Sequence, residues 1–181
     1  ADVAAALEQA LARTSGALLV TGPAGGGKTT TAYACLRHVV RSSSGARSIV
    51  SLEDPIEVAL AGVSQSQVNP AAGFDLASGL RALLRQDPEV VLLGEIRDQP
   101  TATAVFQAAL TGQLVISTFH AGSVCEAVSR LAEHAPEDRV DVLEVIAEVE
   151  LLLDVGIGQM LLHVRIFLEQ RLKIAFAAPD R

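Results

Sequence analysis

The apolar positions of this chain change their period repeatedly, and the changes divide it into elements. Between residues 2 and 13, Val3, Ala6, Leu7, Ala10 and Leu11 recur at helical spacing, and Ser15-Gly16 ends the run. Ala17-Leu18-Leu19-Val20-Thr21 follows as a strand-like stretch, after which Thr29 to Arg41 returns to helical spacing and Arg41 to Ala46 forms a polar turn. Ser48 to Leu52, Glu89 to Leu93 and Gln113 to Thr118 read as further strands; the second is almost wholly apolar, the pattern of a strand buried on both faces. Val63 to Asn69 alternates instead, which suits a short exposed strand or a hairpin.

Helices are predicted from an Asp75 cap through Leu76, Leu80, Leu83 and Leu84, and over Thr101 to Leu110, Ser123 to Glu133 and Asp141 to Leu153. Met160 to Phe167 and Leu172 to Phe176 read as two antiparallel strands, although no strong turn signal separates them. Strand and helix alternate from residue 17 onward, which implies parallel strands joined by right-handed crossovers and an α/β fold.

Composition narrows this reading. A chain of 181 residues suits one α/β domain over 1–181. Half of it is hydrophobic but only 3% is aromatic, so the core must be built from Ala, Val, Leu and Ile, the usual filling of a parallel sheet covered by helices. A net charge of −7 argues against a surface made to hold nucleic acid. Cys35 and Cys125 are isolated within helical runs, so neither a disulfide framework nor a paired-cysteine metal site is indicated, and a reducing cytosol fits. Ala1 to Arg13 lacks a signal-peptide pattern. Leu151 to Leu168 is interrupted by Asp154, Gln159, His163 and Arg165, a poor transmembrane span. A soluble, cytoplasmic protein is expected.

The strongest chemical signal lies between the first strand and its helix. Gly22-Pro23-Ala24-Gly25-Gly26-Gly27-Lys28-Thr29, followed by Thr30, fits G-x-x-x-x-G-K-[ST] in the strand-to-helix context which that pattern needs. Glycines let successive N–H groups turn inward on a triphosphate. Lys28 adds a mobile positive charge, Thr29 a hydroxyl for Mg²⁺, and the helix start itself favours anions. The loop therefore predicts a nucleoside triphosphate as ligand, with Mg²⁺.

In an open parallel sheet, ligands gather beyond the carboxyl ends of the strands, and Thr21, Glu53, Glu95 and His120 each fall there. Glu95, after Val90-Val91-Leu92-Leu93-Gly94, is placed to hold Mg²⁺ or orient a water. Glu53, Asp54 and Glu57 put three carboxylates within five residues; such a group invites a cation or arginines, and one member is a candidate general base. An acidic turn around Pro55 would look the same in sequence. Arg81, Arg85 and Arg97 could brace these acids or meet phosphate across a subunit contact, and ordinary ion pairing explains them equally well. His120 could sense the γ-phosphate or simply close its strand.

Taken together, these segments resemble the secretion ATPase superfamily, specifically the assembly ATPases of type II secretion and type IV pili. The resemblance rests on Gly22 to Thr30, Leu52 to Glu57, Val68-Asn69-Pro70, Leu80 to Pro88, Gly94 to Asp98 and Thr111 to His120. It implies a RecA-like core, a homo-hexameric ring and Mg²⁺-dependent ATP hydrolysis. The energy would move an inner-membrane platform protein during pilus or pseudopilus assembly, from the cytoplasmic face of that membrane. By position it implies Lys28 and Thr29 on phosphate and metal, Glu95 at the metal and His120 near the γ-phosphate. A Glu of the acidic box, Glu57 first, becomes the general base, and Arg97 lies at the nucleotide or the subunit contact. Two other readings compete: a nucleotide-binding assembly scaffold with little hydrolysis, and a small-molecule kinase, for which no Arg-rich lid or acceptor site is found.

Departures from the family pattern matter as well. Gln113 stands where a histidine is usual, Asp87-Pro88-Glu89 replaces Asp-Pro-Asp, and the Cys-rich insertion of the secretion branch is missing. The family's N-terminal domain and its later C-terminal helices are not represented either, and an arginine supplied from outside a site can be worth about 10³- to 10⁵-fold in rate. This chain alone is therefore expected to bind ATP but turn it over slowly. Turnover compared with that of a longer chain checks this, and equal rates would contradict it.

Overall fold

The computed structural model describes residues 3–121, 126, 127, 130 and 150–153. Six strands lie in one sheet: β1 (Gly16–Gly22), β2 (Ile49–Glu53), β3 (Ser64–Gln67), β4 (Val90–Leu93), β5 (Leu114–His120) and β6 (Glu150–Leu153). Their order is β3-β2-β4-β5-β1-β6, and every pairing is parallel. Helices α1 (Val3–Leu11), α2 (Lys28–Ser42), α3 (Leu76–Leu84) and α4 (Gln99–Leu110), with a short 3₁₀ turn at Pro70–Ala72, complete the described elements.

The strands sort their side chains by period two, and both faces are apolar. Leu18, Ile49, Val90, Leu92, Leu114 and Ile116 pack with Leu11, Ala32, Leu36 and Val39 from α1 and α2. Their neighbours Leu19, Val50, Leu52, Val91, Leu93 and Val115 pack on the other side with Leu80 and Leu83 of α3 and with Val105 and Phe106 of α4. At roughly 25 cal/mol per Å² of apolar surface removed from water, this double burial is the main stabilising term.

Local signals set the element ends. Asp75 accepts a hydrogen bond from the Ser78 N–H at 2.7 Å while Ser78 Oγ accepts from the Asp75 N–H at 3.1 Å, a reciprocal cap that starts α3. These backbone and hydroxyl donors hold the exposed Asp75 carboxyl below its usual range. α4 begins at Gln99, two residues before the predicted Thr101, because Asp98 caps it by accepting from the Thr101 N–H at 2.8 Å and Pro100 suits a first turn.

Two expectations change. β3, expected as a short exposed strand or a hairpin, is a short, partly exposed edge strand parallel to β2, and no helix separates the two, so the alternation of strand and helix breaks there. Glu150–Leu153, expected to end a helix over 141–153, is instead a strand beside β1, with Leu18 opposite Glu150 and Thr21 opposite Leu153. Three consecutive leucines fit a buried strand as well as a helix, and pairing with the central strand decides between them. The residue 123–133 helix lies largely, and the Met160–Phe167 and Leu172–Phe176 strands lie wholly, outside the described residues.

Without a crossover helix, residues 54–63 must return the chain along the sheet from the end of β2 to the start of β3. They do so over α2. Leu60 is buried with the α2 cluster. Gly62, at φ +82°, comes so close to α2 that an added Cβ would stand 2.8 Å from Val40 Cγ1. On the opposite face Gly79 lets α3 settle on β2, since a Cβ there would lie 2.7 Å from Leu52 Cδ2 and 3.0 Å from Phe74 Cζ. The Gly79→Val substitution is expected to lower stability by about 2 kcal/mol through overpacking, read as a lower midpoint of urea unfolding with an unchanged slope.

Candidate functional site

The carboxyl ends of the strands define one rim, where the structure forms a cavity of about 420 Å³. One wall is the loop from Ala24 to Thr30. The other carries Glu53, Asp54, Glu57, Glu95, Arg97 and His120. The convergence expected from strand ends is therefore present: Gly22 and His120 are partners in register, and β2 and β4 end side by side at Leu52 and Leu93.

The loop is shaped by its glycines. Gly25 and Gly27 have φ of +75° and +83°, left-handed values that side chains resist, and nothing lies within 4 Å of where a Gly25 Cβ would stand. Gly27 is the residue before α2, so no side chain caps that helix start. Its first N–H groups and its dipole are thus presented to the cavity for an anion. Lys28 is mostly buried, and its ammonium donates to the carbonyls of Gly22 at 3.0 Å and Pro23 at 2.8 Å. Thr21 is fully buried beneath the loop and its Oγ1 makes no hydrogen bond.

His120 Nε2 lies 3.4 Å from Lys28 Nζ and 3.7 Å from Glu95 Oε1. The strand end that carries it is braced from outside: Arg130 donates to the His120 carbonyl at 2.6 Å and stacks on Phe119, 5.0 Å from its ring centre. Arg97 Nε donates to Glu95 Oε2 at 2.7 Å, and its Nη1 donates to Asp54 Oδ2 at 3.2 Å. The Glu95 carboxylate holds the Arg97 guanidinium above its usual range. Gly94 permits this grouping, because its amide bonds the Leu52 carbonyl at 2.8 Å and the two strand ends meet backbone to backbone.

The three carboxylates at 53–57 differ sharply. Glu53 is 3% exposed, and three side chains donate to it. Ser51 at 2.5 Å and Gln65 at 3.0 Å reach Oε1, while the Tyr33 hydroxyl donates to Oε2. Asp54 is exposed and faces Arg97. Glu57 is exposed at the cavity, and its backbone N–H donates to the Tyr33 hydroxyl at 3.2 Å. Sequence reasoning missed Tyr33, Gln65 and Gln67. Position in the sequence was the available signal, since Tyr33 falls five residues after Lys28 on the same helix, and the glutamines lie on the strand beside Glu53.

Some expected groups stay apart. Arg81, on α3, and Arg85, at its C-terminal cap, are exposed and do not line the cavity. Gln113 precedes β5, at the opposite end of the strand from His120, where its Oε1 accepts from Thr111 Oγ1 at 2.8 Å and its carbonyl accepts from the Gly16 N–H at 3.1 Å. Within this chain it closes a turn. Cys35 is buried in α2, and burial pushes its thiol up to about 11, leaving it inert at neutral pH.

The family model described as Type II/IV secretion system protein matches residues 1–165. The type II secretion system protein E of Dickeya dadantii is 53% identical over 127 residues, 70% of this chain and 25% of that protein. The chain thus spans about a quarter of the length of the curated relatives it matches. Among solved structures, the Legionella pneumophila ATPase DotB is 27% identical with a TM-score of 0.67 over 84% of this chain and 44% of that one. The pilus retraction motor PilT, solved with ADP, is 25% identical with a TM-score of 0.69 over 94% of this chain and 56% of that one. The RecA-like core expected from the sequence is the fold found.

Tyr33 is the single tyrosine of the chain, so its ionisation can be followed alone. Burial first, and then the Glu53 carboxylate, raises it above the ordinary 10.0. The folded state therefore favours the neutral hydroxyl, and that contribution to stability, complete below pH 10.0, fades as pH climbs through the raised value. Phenolate absorbance should reach its midpoint above pH 10.0 in the folded protein. The Glu53→Gln substitution should move that midpoint downward, but not fully to the ordinary value, because burial remains.

Proposed function

Because the chain belongs to the Type II/IV secretion system protein family, we propose that it is the ATP-binding and ATP-hydrolysing core of a hexameric motor. The motor drives type IV pilus or type II pseudopilus assembly from the cytoplasmic face of the inner membrane. The observation that carries this reading is the single cavity in which a phosphate loop faces carboxylates, an arginine and a histidine. A scaffold that only binds nucleotide needs the first wall and has no use for the second.

The roles follow from the partners already described. The loop amides and Lys28 take the β- and γ-phosphates, the lysine exchanging its bonds to the Gly22 and Pro23 carbonyls for stronger charge-assisted ones. Thr29 and Glu95 are the oxygen donors that would hold Mg²⁺, a hard cation that neutralises phosphate charge when bound. Among the described residues no three His, Cys, Asp or Glu form a metal cluster of their own. His120 stands between Lys28 and Glu95, where the terminal phosphate would be met. Glu57 has a free, exposed carboxylate at the cavity and takes the proton from the attacking water. Glu53 stands behind it. Arg97 neutralises Asp54 and Glu95 and lies at the open edge, where a neighbouring subunit would approach.

ADP bound to the PilT neighbour supports an adenine nucleotide as ligand. The described helices include none long and apolar enough to cross a membrane. An inner-membrane platform protein would be the recipient of the motion. The test is a pair of substitutions. Lys28→Ala should weaken ATP binding by about 100-fold, the loss of a charge-assisted contact worth roughly 2.7 kcal/mol. Glu57→Gln should bind ATP within a few-fold of wild type and release phosphate about 10²- to 10⁴-fold more slowly. Undiminished release by the second variant would remove Glu57 from the role of base. Sizing with and without ATP tests the ring.

A further inference from the structure

The loop that carries Glu57 has no secondary structure, yet side chains hold it along most of its length. Gln67 Oε1 accepts from the Ile56 N–H at 3.2 Å. Gln65 donates to the Val58 carbonyl at 3.1 Å and accepts from the Leu60 N–H at 2.6 Å, using the same amide group that donates to Glu53. Tyr33 closes the set: its hydroxyl donates to Glu53 and accepts from the Glu57 N–H. One buried oxygen therefore ties the helix that begins at Lys28 to the backbone of Glu57. A second tie, Gly62 against Val40, fastens the far end of the loop to the same helix.

We propose that Tyr33 is a positioning residue for ATP hydrolysis, fixing the Glu57 backbone on the phosphate-loop helix by a direct hydrogen bond while Glu53 orients its hydroxyl, with Gln65 as its partner across the loop. The inference rests on the assignment of Glu57 as base. A hydroxyl is needed because the position requires one group that donates to a carboxylate and accepts from an amide; phenylalanine fills the same space and does neither. The helix is the right anchor because its first turn meets the phosphates, so base and phosphate share a rigid body. A small misplacement of a reacting group can cost about 10²-fold in rate.

Tyr33→Phe in the full chain is expected to lower kcat by about 10- to 100-fold while KM for ATP stays within about twofold, since no group on the phosphates is touched. Amide exchange at Glu57 should quicken by about tenfold or more, the protection of one hydrogen bond, while the amides of α2 keep their rates. Gln65→Met, which leaves the helix intact, should reproduce both the kcat-only loss and the faster exchange, now at Leu60. An unchanged kcat with faster exchange would overturn the catalytic positioning. Unchanged exchange at Glu57 would overturn the tie itself. If wild type releases no phosphate, the hydrolysis reading fails, and the exchange result still decides whether Tyr33 holds the loop.

Discussion

A parallel sheet buried on both faces has few places for polar chemistry. Its strands spend their side chains on two apolar layers, and their backbone groups on one another, so charged residues collect where the strands stop. Here the carboxyl ends of β1, β2, β4 and β5 deliver the phosphate loop, Glu53, Glu95 and His120 to a single rim. The two helices with the clearest roles take opposite faces: α2 continues the loop and α3 presses on β2 through Gly79. The site is thus a consequence of the core, and stability and chemistry share the same four strands.

Glu53 is the costly exception, a carboxylate 3% exposed at the last position of β2. A charged group in that place needs donors, and an unsatisfied one costs about 1–3 kcal/mol or more. Ser51, Gln65 and Tyr33 supply them. Each comes from a different element, so satisfying one carboxylate fastens β2, β3 and α2 together at the rim. Electrostatic need becomes mechanical definition, and the neighbouring loop inherits it.

Much of this was legible in the sequence. The phosphate loop announced itself by glycine spacing, β4 by four apolar residues between Pro88 and Gly94, and α3 by Asp75. The rim assignment followed from topology alone. The β6 strand was not legible, because Leu151-Leu152-Leu153 suits either period and only pairing with β1 decides. Nor was the division among the acids, since Glu53, Asp54 and Glu57 look alike in sequence and differ only in which side chains reach them. Tyr33, Gln65 and Gln67 were missed for the same reason: their bonds to Glu57, Glu53 and Ile56 cross gaps of 11 to 24 residues that no local pattern records.

The four acids at the rim end in four different settings, and that separation argues for a working site over an acidic surface. Glu53 is saturated by neutral donors, Asp54 faces an arginine, Glu95 shares that arginine and approaches a histidine, and Glu57 offers a free carboxylate on a restrained backbone. If the cluster were merely a solvated turn, its members would point outward, and their partners would be water. Instead Glu53, the one enclosed acid, takes donors from the Tyr33 and Gln65 groups that also hold the loop, while Glu57, exposed like Asp54 but not paired with Arg97, lines the cavity. A proton acceptor needs a free lone pair and a fixed position. On the proposed reading of Glu57 as base, burying Glu53 supplies the second without sacrificing the first, and two carboxylates four residues apart would carry two different duties.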